Sequence, residues 1–154
     1  MSTTTTAPPA KTTSPDAGTP GGVHLRPIAP ADVDAAARIA YEAFADIAER
    51  HGFPADFPDV GSARELVAAF TEHPSIWGVV AEQDGRIVGS NFLDERSAVR
   101  GVGPLTVAPA TQGAGVGRRL MAAALHRAER TGASVRLLQD AFNGGSFALY
   151  ASLG

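Results

Sequence analysis

Residues Leu105-Thr106-Val107-Ala108-Pro109-Ala110-Thr111-Gln112-Gly113-Ala114-Gly115-Val116-Gly117-Arg118-Arg119-Leu120 decide how the rest of the chain is read. The stretch predicts a β-strand stopped by a proline, a loop rich in glycine, and then a helix. Glycines at 113, 115 and 117 let the backbone turn tightly and keep side chains out of the space between main chain and ligand. The helix presents unpaired N–H groups at its start, a site suited to phosphate or another anion. Arg118 and Arg119 lie in its first turn, at the positive end of the helix dipole. Each charge there costs about 0.3–1 kcal/mol unless an anion is bound. An ordinary strand–loop–helix connection is the alternative reading of the same spacing.

Two familiar glycine loops do not fit. The dinucleotide fingerprint needs its third glycine where Arg118 stands. The P-loop needs Gly-Lys-Ser/Thr, and the only lysine is Lys11, far upstream. The loop instead resembles the acetyl-CoA loop of the GNAT superfamily of N-acetyltransferases, Gln/Arg-x-x-Gly-x-Gly/Ala. Gln112-Gly113-Ala114-Gly115-Val116-Gly117 fits it, after a strand ending Val107-Ala108-Pro109. A second match lies downstream, Asn143 followed by Leu149-Tyr150-Ala151-Ser152-Leu153-Gly154. The resemblance covers most of the chain after about residue 23.

The resemblance implies an α/β fold: a mixed, mainly antiparallel sheet flanked by helices on both faces, with its final strands missing. Members normally continue past the equivalent of Leu153-Gly154 with phenylalanine and two more strands, so the chain is expected to be C-terminally truncated. Val135, Leu137 and Leu138 would then lie on an open sheet edge, able to pair with a second copy. The resemblance also implies a site. The backbone of Leu105, Thr106 and Val107 would pair with the pantetheine arm, and an N–H near Val107 would polarise the thioester carbonyl. Gln112, Gly113, Ala114, Gly115, Val116, Gly117 and Arg118 would hold the pyrophosphate. Asn143 would contact the cofactor, and Tyr150, two helical turns on, would protonate the departing CoA thiolate. Read without the resemblance, Asn143 is a helix cap and Tyr150 a core aromatic.

Composition bounds the chemistry. At 154 residues, 44% of them hydrophobic, the chain supports one globular domain. The formal charge of −3 gives no reason to expect nucleic acid or an anionic membrane as partner. There is no cysteine, which excludes disulfides, thiolate metal sites and a cysteine acyl-enzyme. His24, His51, His73 and His126 are scattered without ligand spacing, so no metal is expected. No apolar run approaches the ~18 residues of a membrane span. These features fit a reducing, cytoplasmic setting.

Residues 1–22 are mostly Thr, Pro, Ala, Ser and Gly and are expected to form a disordered tail, leaving a domain over 23–154. Val23 to Pro27 predicts a strand and about Pro30 to Arg50 a helix, its buried stripe Val33, Ala36, Ala40, Ala43, Phe44 and Ile47. Phe53-Pro54 and Phe57-Pro58 mark a loop, either packed on itself or bordering the acceptor pocket. Ser62-Ala63-Arg64-Glu65 predicts a capping box opening the next helix. Ile76 to Ala81 and Ile87 to Leu93 predict strands joined by a tight Asp84-Gly85 turn. Val99 to Val107 predicts one strand, bent at Gly103-Pro104. A helix to Gly132, a strand over Val135–Asp140 and a helix opened by Asn143 complete the order.

Together these readings predict an N-acetyltransferase that moves acetyl from acetyl-CoA to a small-molecule or peptide amine by direct attack in a ternary complex. Some members use a glutamate as base on the strand before Asn143 or on the one before the glycine loop. Here the first of these strands offers Leu137, Leu138 and Gln139, and the second no acid between Val99 and Val107, leaving Asp94, Glu95, Asp140 or a water chain. The rival readings are a catalytically silent CoA-binding module and an inactive fragment of a longer acetyltransferase.

Overall fold

The computed structural model describes residues 22–139 and 143–153. The tail expected over 1–22 therefore lies, but for Gly22, outside the described residues, as does Asp140. Among these residues six strands make one sheet: β1 (His24–Pro27), β2 (Ile76–Gln83), β3 (Arg86–Asp94), β4 (Val99–Val102), β5 (Thr106–Val107) and β6 (Ser134–Leu137). Their order is β1-β2-β3-β4-β6, with β5 also on β3. All pairs are antiparallel except β4 with β6. The helices are α1 (Val33–His51), α2 (Val60–Glu72), α3 (Val116–Glu129) and α4 (Gly144–Ala151). This is the mixed, mainly antiparallel α/β architecture that the sequence predicts.

Alternation along the strands builds the layers, because neighbouring residues face opposite sides of a sheet. Phe92 is fully buried against α1 and α2, in a cluster with Val33, Ala36, Ala40, Val67 and Ile76. Leu93, next along β3, packs on the other face with Met121, Ala124 and Ala128 of α3. Val79, Ala81, Val88, Val116 and Leu120 extend that second layer. Two glycines permit the closest approaches. A Cβ on Gly78 would lie 2.4 Å from Ile28 Cγ2 and 2.9 Å from Phe92 Cε1, and one on Gly89 would lie 2.7 Å from the Thr106 carbonyl oxygen.

Local chemistry accounts for the turns and for three departures from the expected boundaries. Asp84 and Gly85 both take positive φ, 49° and 74°, which a tight hairpin of matching twist requires. α2 starts three residues early, at Val60, because Asp59 is its cap; the Asp59 Oδ1 accepts from the Ser62 N–H at 2.7 Å. The proposed box at Ser62 and Glu65 is thus replaced by an aspartate three residues upstream. The single strand expected over Val99–Val107 is two, separated at Gly103, whose φ is 122°. β6 ends at Leu137 rather than at Asp140.

At the far end of the sheet, β6 has β4 on one side and, among the described residues, no strand on the other. Val135 and, just past the strand, Leu138 are exposed. Leu137 is not: it packs against the Leu93 and Met121 cluster.

Candidate cofactor cleft and active site

The site begins where two strands part. β4 pairs with β6 as far as Val102 opposite Leu137. β5, the continuation of β4, pairs only with β3, through Gly89–Val107 and Ser90–Thr106. The Ala108 N–H donates to the Val88 carbonyl at 2.9 Å, so the backbone of 106 and 108 faces β3 and that of Val107 faces the gap. The Val107 carbonyl accordingly accepts from Gln112 Nε2 at 3.2 Å. Its N–H shares that open side. Thr106, by contrast, is buried, with Oγ1 3.0 Å from Ser90 Oγ, and pins β5 to β3.

The chain then makes one 3₁₀ turn, Pro109–Thr111, before the glycines. Gly113 and Gly115 both have φ of 82°, a conformation that a side chain would strain. Gly115 is the N-cap of α3, and its carbonyl accepts the first helical bond, from the Arg119 N–H at 3.1 Å. The N–H groups of Val116, Gly117 and Arg118 precede that bond and have no acceptor within the helix. At Gly117 a Cβ would sit 3.4 Å from Leu149 Cδ2 and 3.6 Å from Val107 Cγ2. The start of α3 thus lies beside both β5 and α4.

A cleft of about 730 Å³ follows from this arrangement. Leu105, Thr106 and Val107 form its floor, and Gln112, Gly113, Gly115, Gly117 and Arg118 one rim. Asn143 lies at its α4 end. Ala114 is exposed and does not line the cleft, while Val116 is buried in the core. The opposite wall is the second half of α1: Ala43, Phe44, Ile47, Arg50 and His51. Ala43, Phe44 and Ile47 were expected to be core. They keep the helical spacing of the core stripe but are only partly buried and line the cleft. Phe57 stands edge-on behind Phe44 at 5.5 Å, whereas Phe53 is exposed.

A second cleft of about 230 Å³ continues into the gap between the strands. It shares Phe44, Leu105, Asn143 and Ser146 with the first. Val102 to Pro104 bound it on one side, and Leu137, Leu138 and Gln139 on the other. Met121 and Tyr150 also line it. Asn143 Oδ1 accepts from the Ser146 N–H at 3.1 Å and so caps α4 while facing both clefts. Burial pushes the Tyr150 phenol above its usual 10.0, partly offset by a hydrogen bond with the Ser146 side chain. Arg118 Nη2 reaches across to Ser152 Oγ at 2.6 Å, and that hydroxyl donates to the Leu149 carbonyl. The glycine loop and α4 are thereby tied together.

The candidate bases are placed elsewhere. Asp94 is held by Arg96 through Nε at 2.8 Å and Nη2 at 2.6 Å, and its pKa falls to about 2, chiefly through those side-chain hydrogen bonds. Glu95 takes both arms of Arg127, whose guanidinium lies 5.2 Å from the centre of the Trp77 ring. Neither carboxylate lines a cleft, and Trp77 is packed against core residues on the α3 side. Among the described residues no group of His, Asp and Glu has the arrangement to hold a metal ion. None of the described helices is long and apolar enough to cross a membrane.

Known proteins share this frame. The PaiA N-acetyltransferase of Thermoplasma acidophilum, solved with coenzyme A, superposes with a TM-score of 0.73 at 15% identity, over 86% of this chain and 89% of that one. The ribosomal-protein-S18-alanine N-acetyltransferase of Escherichia coli gives 0.69 at 22%, over 86% and 77%. A GNAT family acetyltransferase of Brucella melitensis, solved with acetyl-CoA, gives 0.63 at 23%, over 82% of each chain. No curated protein matches the chain in sequence. At these identities the structural likeness establishes the fold alone. The sequence goes further, for the profile of the Acetyltransferase (GNAT) family matches residues 36–154, from within α1 through the glycine loop to the end of α4. With the strands parted at β5 and the glycine loop opening α3, that match places the chain in the GNAT acetyltransferase family.

Proposed function

We propose that the protein transfers an acetyl group from acetyl-CoA to a primary amine, carried by a small molecule or peptide, by direct attack in a ternary complex. The observation that carries this reading is the junction of the two clefts at Asn143 and Ser146. The glycine loop lines one of these clefts and Tyr150 the other, which supports the reading of one as the pyrophosphate end and the other as the thioester end. The residues present fit the cosubstrate. Two loop glycines leave open space where a side chain would stand, and the first-turn N–H groups of α3 lack intrahelical acceptors.

The bound cosubstrate supplies an activated thioester carbonyl. Gln112 to Arg118 hold its pyrophosphate, with the Leu105–Val107 backbone and Asn143 along the pantetheine arm. The Val107 N–H, fixed by the β5–β3 pairing, donates to the carbonyl oxygen as negative charge develops. Tyr150 then gives its proton to the leaving sulfur. The described residues put no carboxylate in either cleft, and in this reading water carries the amine proton away. The same observation favours the second reading, a silent CoA-binding module, which turnover on a panel of amines excludes. The open side of β6 is also a surface on which a second copy can pair, and light scattering reads it directly. Calorimetry with acetyl-CoA tests the site: Gly115→Asp puts a side chain at φ of 82° and a negative charge beside the pyrophosphate, so binding should weaken strongly. Equal affinity in that variant overturns the assignment.

A further inference from the structure

In the proposed reaction the arm of the cosubstrate lies along Leu105–Val107 and its thioester meets Tyr150, so those walls are taken. An attacking amine comes from the side that remains, and across the first cleft that side is the second half of α1. The wall there is apolar at its centre. Ala43, Phe44 and Ile47 recur at helical spacing, and Phe44 lines both clefts. Phe57 meets the Phe44 ring edge-on, with the planes at 85°, which restricts how that ring can turn. The charged groups in the lining are basic: Arg50 and His51 on α1, and Arg118 on the glycine loop. No described residue lining either cleft is Asp or Glu. Asp46, one turn before Arg50, is outside both linings and accepts from Arg50 Nη2 at 2.6 Å.

We infer that the acceptor is a monoamine on an aromatic or bulky apolar carrier, without a second cationic group, and that Phe44 selects it. This rests on the proposed function and names its substrate class. A polyamine or an aminosugar brings further ammonium groups that need carboxylates, and the lining gives them cations to face. An apolar carrier instead buries its surface against Phe44 and Ile47. The same wall helps the chemistry. Taking the reacting ammonium out of water favours its neutral form, the nucleophile, where no lining carboxylate stands to accept the proton. The amine nitrogen bonds to the acetyl carbon as the C–S bond breaks. The sulfur takes the Tyr150 proton, and the proton shed by nitrogen passes through water to restore the phenol.

Steady-state kinetics at saturating acetyl-CoA test this with matched amines. Pentylamine should have a kcat/KM roughly tenfold above that of cadaverine, its diamine counterpart, and phenethylamine should exceed both. Phe44→Ala should lower kcat/KM for phenethylamine roughly tenfold and leave cadaverine nearly unchanged. Calorimetry should show acetyl-CoA binding that variant almost as tightly as the parent. Ile47→Glu places a carboxylate on the same wall and should move the ratio of the two pentyl substrates roughly tenfold toward the diamine. A parent that prefers cadaverine or kanamycin overturns the inference, as does an equal loss on every amine in Phe44→Ala. Weakened acetyl-CoA binding in Phe44→Ala overturns it too, because the ring then walls the cofactor. An unmoved ratio in Ile47→Glu overturns it even where Phe44→Ala does not fold. If acetyl-CoA binds and no amine turns over, the proposed transferase falls and the acceptor class falls with it.

Discussion

Tyr150 and Asn143 are separated by two turns of α4, and both reach the second cleft although their immediate surroundings differ. Asn143 spends its Oδ1 on the Ser146 N–H, so its cap role and its place in the cleft coexist. Tyr150 is half-buried with its phenol held neutral, the state a proton donor needs. Tyr150→Phe should lower kcat by about 10²–10⁴-fold while leaving the KM for acetyl-CoA nearly unchanged, since the hydroxyl matters when charge reaches the sulfur. Unchanged single-turnover rates would return the ring to core packing. These two positions were legible because a spacing of seven on a helix fixes a common side. Asp59 was not legible, because Ser62 and Glu65 supply an equally good capping pattern three residues later.

Hydrophobic spacing located each helix and most strands, yet it did not say what the apolar faces meet. In α1 the stripe from Val33 to Ile47 is uninterrupted, but only its first half joins the Phe92 cluster. The second half overhangs the gap left by β5, where the same residues become the cleft wall. Val99 to Val107 likewise reads as one apolar strand. The break depends on a long-range choice: β4 takes β6 as neighbour, while β5 stays with β3. That choice opens the channel, and α4 closes its end. α4 is short and is held to the loop by the Arg118–Ser152–Leu149 chain of hydrogen bonds. Ser152→Ala should therefore speed amide hydrogen exchange in α4 with little change in the melting temperature, as expected of local opening. Acetyl-CoA should restore protection by engaging Asn143. Identical exchange in the variant and the parent would show that the tether does not restrain the helix.

The family profile starts at residue 36, but the fold depends on what precedes it. β1 pairs with β2 from His24–Glu82 to Pro27–Val79, and Arg26 locks the two ends of that arrangement together. Its Nη1 and Nη2 donate to Asp32 at 2.6 and 2.8 Å, and its Nε donates to Glu82 at 2.9 Å. Asp32 Oδ2 also accepts from the Ala29 N–H at 2.8 Å, fixing the turn into α1. One aspartate thus joins the first strand, the first helix and, through Arg26, the second strand. The Arg26 hydrogen bonds hold the Asp32 carboxyl below its usual 3.8, against the opposing effect of burial. A carboxyl depressed in the folded state binds protons more readily when unfolded. Its contribution is therefore complete above about pH 4–5 and is lost as pH falls through the folded value. Asp94, lowered to about 2 by Arg96, adds the same sign. Asp32→Asn keeps an acceptor for the Ala29 N–H but removes the charge. It should cost about 2 kcal/mol at neutral pH, the scale of a hydrogen bond to an ionised group. More tellingly, its melting temperature should fall less steeply than the parent's between about pH 5 and 2, because one of the protons taken up on unfolding is gone. Parallel acid limbs for the two proteins would mean that Arg26 and Asp32 are neighbours without coupling, and that β1 is held by its backbone pairing alone.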